Sequence, residues 1–191
     1  ILPIGKQYFN ISNYLDRWIT LKYMGDIYCI KCGRKTSRSF FQGYCYPCFL
    51  SAPETSECII KPELCRAHEG TARDLDWADE HCLTTQYVYL SLTSGLKVGV
   101  TRSSQIPTRW IDQGAIRAIK LAETPNRYIA GLIEVEMKKY ISDRTAWQRM
   151  LKNNVDREIN LIEEKQKLQE KFPQGLRPYF MKDNTITEIN Y

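Results

Sequence analysis

No cysteine follows Cys82 in this 191-residue chain, and no run of about 18 apolar residues occurs anywhere in it. The first absence argues against a disulfide scaffold, which spreads its bridges through a small secreted chain. The second argues against a membrane-spanning helix, so no membrane partner is expected. There is also no internal repeat and no low-complexity segment. The chain starts at Ile1 rather than Met, without a charged-then-apolar leader pattern, as expected of a fragment or a processed chain.

What is present narrows the field further. A 43% apolar content over this length supports one medium domain or two small ones. The net charge of +5 is mildly basic, which suits nucleic acid as a partner and equally suits a solvated surface excess. All seven cysteines fall between Cys29 and Cys82, in clusters. Clustering of that kind points to metal rather than disulfides, and so to a reducing cytoplasm.

The spacing Cys29-x2-Cys32-x12-Cys45-x2-Cys48 forms two knuckles. Two thiolates separated by two residues can both reach one ion, Gly33 eases the first knuckle, and two knuckles close a tetrahedral shell. Four thiolates leave no open position, so the ion they hold, zinc or iron in its place, is structural. Redox-active dithiols are the alternative. Between the knuckles, Arg34, Lys35 and Arg38 are interleaved with Phe40, Phe41 and Tyr44. The cations are candidates for phosphate contact in nucleic-acid binding, while Phe40 and Phe41 are expected to pack on the knuckles. A second group contains Cys58, Cys65, His68, His81 and Cys82. Three cysteines and one of the two histidines could hold a second zinc; the alternative is small buried side chains with His81 exposed.

From Tyr87 to Leu92 and from Leu96 to Thr101, two apolar runs flank Thr93-Ser94-Gly95 and read as a β-hairpin. A short helix follows between Pro107 and Gly114. This unit should bring Tyr87, Tyr89, Lys97, Arg102 and Arg109 close together; the alternative is a sheet edge with solvated basic residues. Ala115 to Leu121 reads as a third strand, and Arg127 to Ile141 as a helix with an apolar stripe. Glu134 lies at the edge of that stripe, either as a Mg²⁺ ligand or as an ion-pair partner of Lys138 four residues on.

In the first segment, Ile19, Leu21 and Tyr23 alternate as in a half-buried strand. Near the end, Trp147, Met150, Leu151, Val155, Ile159 and Ile162 form the seam of one long helix running from Ser142 or Asp143 to about Lys171. Thr185 to Tyr191 reads as a terminal strand whose exposed edge suggests further chain beyond it.

The strings GYCYPCF (43–49), IIKPELC (59–65), GTARD (70–74), SGLKVGVTR (94–102) and PTRWIDQGA (107–115) resemble an uncharacterised bacterial family, domain of unknown function twenty-seven ninety-seven. The resemblance covers about Leu21 to Leu151 and is specific, because several rare strings occur in order. Members often have Cys where this chain has Ala72 and His where it has Arg66, which would leave His68 or His81 to complete the second metal site. More distantly, the order strand, strand, Arg-bearing helix, strand, Glu-bearing helix is similar to the GIY-YIG nuclease domain. YVY (87–89) and KVG (97–99) match its two strings. The resemblance implies that Tyr87 or Tyr89 helps activate water, Arg109 stabilises charge on phosphate and Glu134 holds Mg²⁺ or Mn²⁺. Lys97 stands where the second-string Tyr is expected. A tyrosine serves as base only where nearby cations lower its pKa, a role open to Lys97, Arg102 and Arg109.

The expected architecture is α+β: a zinc ribbon-like module, a small GIY-YIG-like sheet with flanking helices, and a long C-terminal helix. The divisions are 1–28, a strand segment; 29–86, the cysteine module; 87–141, the α/β domain; 142–172, the helix; and 173–191, an incomplete extension. The expected function is zinc-supported nucleic-acid binding at a phosphate site, with Mg²⁺-dependent endonuclease activity as its catalytic form. The alternative is a non-catalytic zinc-stabilised module docking on a protein or ribonucleoprotein complex through the 145–170 helix.

Overall fold

The computed structural model describes residues 1–4, 7–144, 146–152 and 157–190 of an α+β chain. The chain divides into two compact units, Ile1–Phe49 and Leu50–Tyr191. In the first, β1 (Leu2–Ile4) pairs antiparallel with β2 (Gln7–Phe9), and β3 (Ile27–Tyr28) with β4 (Lys35–Thr36). Helix α1 (Tyr46–Ser51) begins inside the second cysteine knuckle. The buried apolar residues described in this unit are Cys29, Tyr44 and Cys45, so it has little conventional core. The expected strand at Ile19, Leu21 and Tyr23 is absent: the stretch is irregular, and Leu21 and Tyr23 are 69% and 70% exposed. Alternation makes a strand only where a neighbour takes its backbone hydrogen bonds, and no described strand pairs with this one.

The second unit opens with short 3-10 turns and α2 (Leu75–His81), whose first turn is capped by Asp74 accepting from Trp77 N at 2.9 Å. A four-stranded antiparallel sheet follows, in the order β6-β5-β7-β8. β5 (Gln86–Leu92) and β6 (Leu96–Arg102) form the hairpin, in a register that sets Tyr89 opposite Gly99 and Ser91 opposite Lys97. After α3 (Thr108–Asp112), Gly114 takes φ +67, the left-handed geometry that ends a helix. β7 (Arg117–Thr124) then runs back along β5. Asn126 caps α4 (Arg127–Met137), accepting from Ile129 N at 3.0 Å. The terminal strand β8 (Ile186–Glu188) is paired along β7.

Period-two alternation on β5 separates two packed faces. Val88, Leu90 and Leu92 join Ala130, Ile133 and Met137 of α4 in the main core, whereas Tyr89 faces Trp110 of α3. The helix expected over 142–172 is in two pieces, α5 (Trp147–Leu151) and α6 (Leu161–Lys171). Asn160 causes the break before α6: its extended backbone cannot continue a helix, and its side chain caps Ile162 N at 3.0 Å. Val155 lies outside the described residues, and Trp147 is exposed rather than part of a seam. Of the expected seam, Ile159 and Ile162 do pack against the main core, in which Leu161 and Leu168 are buried. No described helix is long and apolar enough to cross a membrane.

Candidate functional site

Two thiolate groups form, one in each unit. Cys29, Cys32, Cys45 and Cys48 gather so that their sulfurs lie within 4.8 Å of one another. The knuckles explain this locally. Gly33, at φ +69, donates its N–H to Cys29 O at 2.9 Å and folds the first pair inward. The Cys32–Cys45 sulfur separation is 3.8 Å, and a tetrahedron with arms of ~2.3 Å has an edge of about this length, as zinc–thiolate geometry requires. Burial raises the Cys29 thiol, but N–H groups of Cys45, Cys32 and Lys31 outweigh it and draw it down to about 6. Burial, then the neighbouring sulfurs, push Cys48 up to about 12. Phe40 packs against Tyr46 and Phe49 beside the knuckles, and Phe41 against Tyr44.

Cys58, Cys65 and Cys82 form the second group, also within 4.8 Å. Hydrogen bonds from Cys58 and Cys82 lower the Cys65 thiol, while bonding to Cys58 and Cys65 followed by burial raises Cys82. One thiolate therefore ionises at its neighbours' expense. A divalent cation among them removes that conflict, so both donor sets suit a metal. Neither histidine joins this group. His68 stacks on Tyr128 with ring centroids 4.3 Å apart, and His81 stacks on Trp77 with Nδ1 2.9 Å from its carbonyl oxygen.

The second group is built into the wall of a different site. Arg127 donates Nε to Cys58 O at 2.8 Å, Nη2 to Ile59 O at 3.0 Å and its backbone N–H to Cys82 O at 2.8 Å. One residue thus fastens two ligand-bearing segments to the start of α4. Beyond it, the Pro62–Glu63 backbone lies against Gly131; a Cβ there would sit 2.7 Å from Glu63 Cα and closer still to Pro62 C and Glu63 N.

Ile59, Ile60 and Pro62 line one side of a cavity of about 130 Å³, which also takes in Tyr89, Lys97, Arg109, Gln113, Arg127, Glu134, Lys138 and Asp143. The hairpin register places Tyr89 across Gly99, where an added Cβ would come 2.7 Å from the phenol oxygen. That oxygen donates to Gln113 Oε1 at 2.8 Å. Burial pushes the Tyr89 phenol up to about 12, with Arg109 offsetting only part of the rise. The lowered phenol expected of a general base is not found, because desolvation of the phenolate outweighs the nearby cation. Burial, then Arg109, lower Lys97. Glu134 is raised by burial and held by Lys138 at 3.4 Å, which also reaches Asp143 at 3.1 Å. Four cationic side chains thus face two carboxylates, and the surplus positive charge favours an anion.

Tyr89, Lys97, Arg109 and Glu134 are therefore brought together, whereas Tyr87 and Arg102 lie apart from the cavity lining. Tyr87 carries Lys120 Nζ 4.2 Å from its ring centroid, and burial followed by Glu123 raises its phenol. Arg102 is lowered by burial and then by the Arg127 charge, with Cys82 opposing. In the first unit, Lys35 pairs with Asp26 at 2.6 Å, Arg38 lies 5.1 Å over Phe40, and Arg34 is exposed. The sequence reading missed Gln113, Arg127 and Asp143; the Asn126 cap before Arg127 was its nearest visible signal.

Fold and donor sets define a cysteine-rich α+β protein with two groups able to hold metal. The chain belongs to the family described as Protein of unknown function (DUF2797), whose model matches residues 16–191. The curated proteins and the solved structures gave no match.

Proposed function

We propose that this is a zinc-supported nucleic-acid-binding protein whose cavity at Tyr89, Lys97, Arg109 and Glu134 receives a backbone phosphate. The observation that carries the reading is the convergence of Lys97 and Arg109 beside the buried Tyr89 phenol in a cavity with surplus positive charge. Its volume of about 130 Å³ corresponds to roughly four water molecules, room for one small oxyanion rather than a base. The net charge of +5 supports a polyanion as the source of that phosphate. Arg34, Lys35 and Arg38 offer further backbone contacts from the cysteine-ribbon unit. Zinc in the four-thiolate group would hold that unit together.

A second reading adds cleavage, favoured by the buried Glu134 in the same cavity as Tyr89 and Arg109. Mg²⁺ or Mn²⁺ held there would supply Lewis-acid activation of water and charge stabilisation on phosphate. Arg109 would orient the phosphate, and Tyr89 would act as a hydrogen-bond donor rather than a base. Because Lys138 already neutralises Glu134, binding stands ahead of cutting. The 145–170 docking surface is weaker, since α6 spends Leu161 and Leu168 on its own core.

Fluorescence anisotropy with single- and double-stranded DNA and RNA, followed by incubation with Mg²⁺ or Mn²⁺, tests both readings. Binding that falls at least tenfold in Arg109→Ala supports the phosphate site; undiminished binding sinks it. Cleavage lost in Glu134→Gln would promote the second reading.

A further inference from the structure

We infer that the three-cysteine group holds a divalent metal with one exchangeable coordination position, open to a small exogenous thiolate. This rests on the reading of that group as a metal site and goes beyond it by assigning the fourth ligand to something outside the chain. Cys58, Cys65 and Cys82 come together as three ligands, and the described residues add no fourth to their group. The chain's two histidines, His68 and His81, fall outside that group and stack on Tyr128 and Trp77.

The same three cysteines line a cavity of about 390 Å³, whose walls include Leu64, Ala72 and Trp77. A structural zinc site is closed by four protein ligands, whereas three protein ligands beside open space are the arrangement of a site that exchanges its fourth. A soft, thiolate-rich ion favours another sulfur. Three thiolates on a divalent ion leave one negative charge, and a fourth makes two. Arg127 acts electrostatically on Cys58 and Cys65, and Arg102 on Cys82, so two cations are at hand for that charge. The wall is apolar at Leu64, Ala72 and Trp77 and charged at Glu57, Arg66, Arg73 and Asp74, which suits a small thiol with a short body. On binding, a metal–oxygen bond to water breaks, a metal–sulfur bond forms, and the proton of the incoming thiol leaves to solvent. Oxidation states do not change.

The 191-residue chain, prepared without thiols and loaded with Co²⁺, provides the test through metal content and the visible absorption of tetrahedral cobalt. Two cobalt ions per chain are expected. Titration with 2-mercaptoethanol should change the absorption of one of them, saturating at one equivalent per chain. The response should persist in Cys45→Ser, which disables the other group, and in the His68→Ala/His81→Ala double variant. It should vanish in Cys65→Ser. Two cobalt ions with no response to thiol would overturn the open position while leaving the metal site standing. One cobalt ion per chain, held by the four-cysteine group, would overturn both. A response absent from the wild type and gained in the histidine double variant would assign the fourth position to the chain itself. The wild-type titration decides the matter even if Cys65→Ser fails to fold.

Discussion

The two cysteine groups use the same ligand and serve their surroundings differently. In the 1–49 unit, four thiols from two adjacent knuckles gather where the described buried apolar residues are Cys29, Tyr44 and Cys45. In the 50–191 unit, three thiols from three separate turns gather in a unit that already has Val88, Leu90, Ile119, Ile133 and Leu161 in its core. A metal held by the first group would substitute for a core. The second fixes a loop: Arg127 binds its carbonyls, and that loop walls the cation-lined cavity. A metal in each group would thus add folding energy in one place and position a site in the other.

The largest effect that could break this contrast comes from Cys45→Ala. Structural zinc contributes on the order of 10 kcal/mol to a small module. The variant is therefore expected to lose one metal and the hydrogen-exchange protection of residues 1–49, while 50–191 stays protected. Protection lost throughout the chain would erase the distinction.

Gly131→Ala comes next. The added Cβ meets the backbone of Pro62 and Glu63, including Glu63 Cα at 2.7 Å, and backbone cannot step aside as a flexible side chain can. The expected loss is about 3 kcal/mol in chemical denaturation. A neutral outcome would mean that the loop is not held against α4.

A third effect depends on pH. The Tyr89 phenol is raised from about 10 to about 12 when folded, so between those values the folded chain keeps a proton that the unfolded chain releases. Stability should hold below about pH 10 and fall by about 2–3 kcal/mol as pH rises towards 12. Tyr89→Phe should flatten that fall and cost about 1 kcal/mol at neutral pH, through the lost hydrogen bond to Gln113. The smallest effect belongs to Lys35→Ala. Its ion pair with Asp26 is largely solvent-exposed, so a change within about 0.5 kcal/mol is expected in thermal melting.

Legibility in the sequence followed the range of the interactions. The four-cysteine group is visible because its spacing is local, and Gly114 marks a helix end for the same reason. Asn160 was an equally local signal that went unread: with Glu163 three residues on, it caps α6 and its amide donates to that carboxylate at 2.9 Å. The apolar period of 147–162 suggested a single helix instead. The cavity was half legible. Tyr89, Lys97, Arg109 and Glu134 could be named, but the passage of Tyr89 over Gly99 depends on strand register. The role of Arg127 depends on carbonyls at Cys58 and Ile59, 69 and 68 positions away. Those acceptors are main-chain atoms, so no residue type advertises them. The alternation at Ile19, Leu21 and Tyr23 misled because a pattern of side chains cannot show whether a pairing strand exists.

The phosphate reading rests most directly on the salt dependence of nucleic-acid affinity. Log affinity should fall linearly with log salt in the wild-type chain, because each phosphate neutralised by Lys or Arg releases counterions. In Arg109→Ala the slope should be shallower by about 1, with weaker binding at every salt concentration. An unchanged slope and affinity in that variant would place phosphate elsewhere and contradict the account.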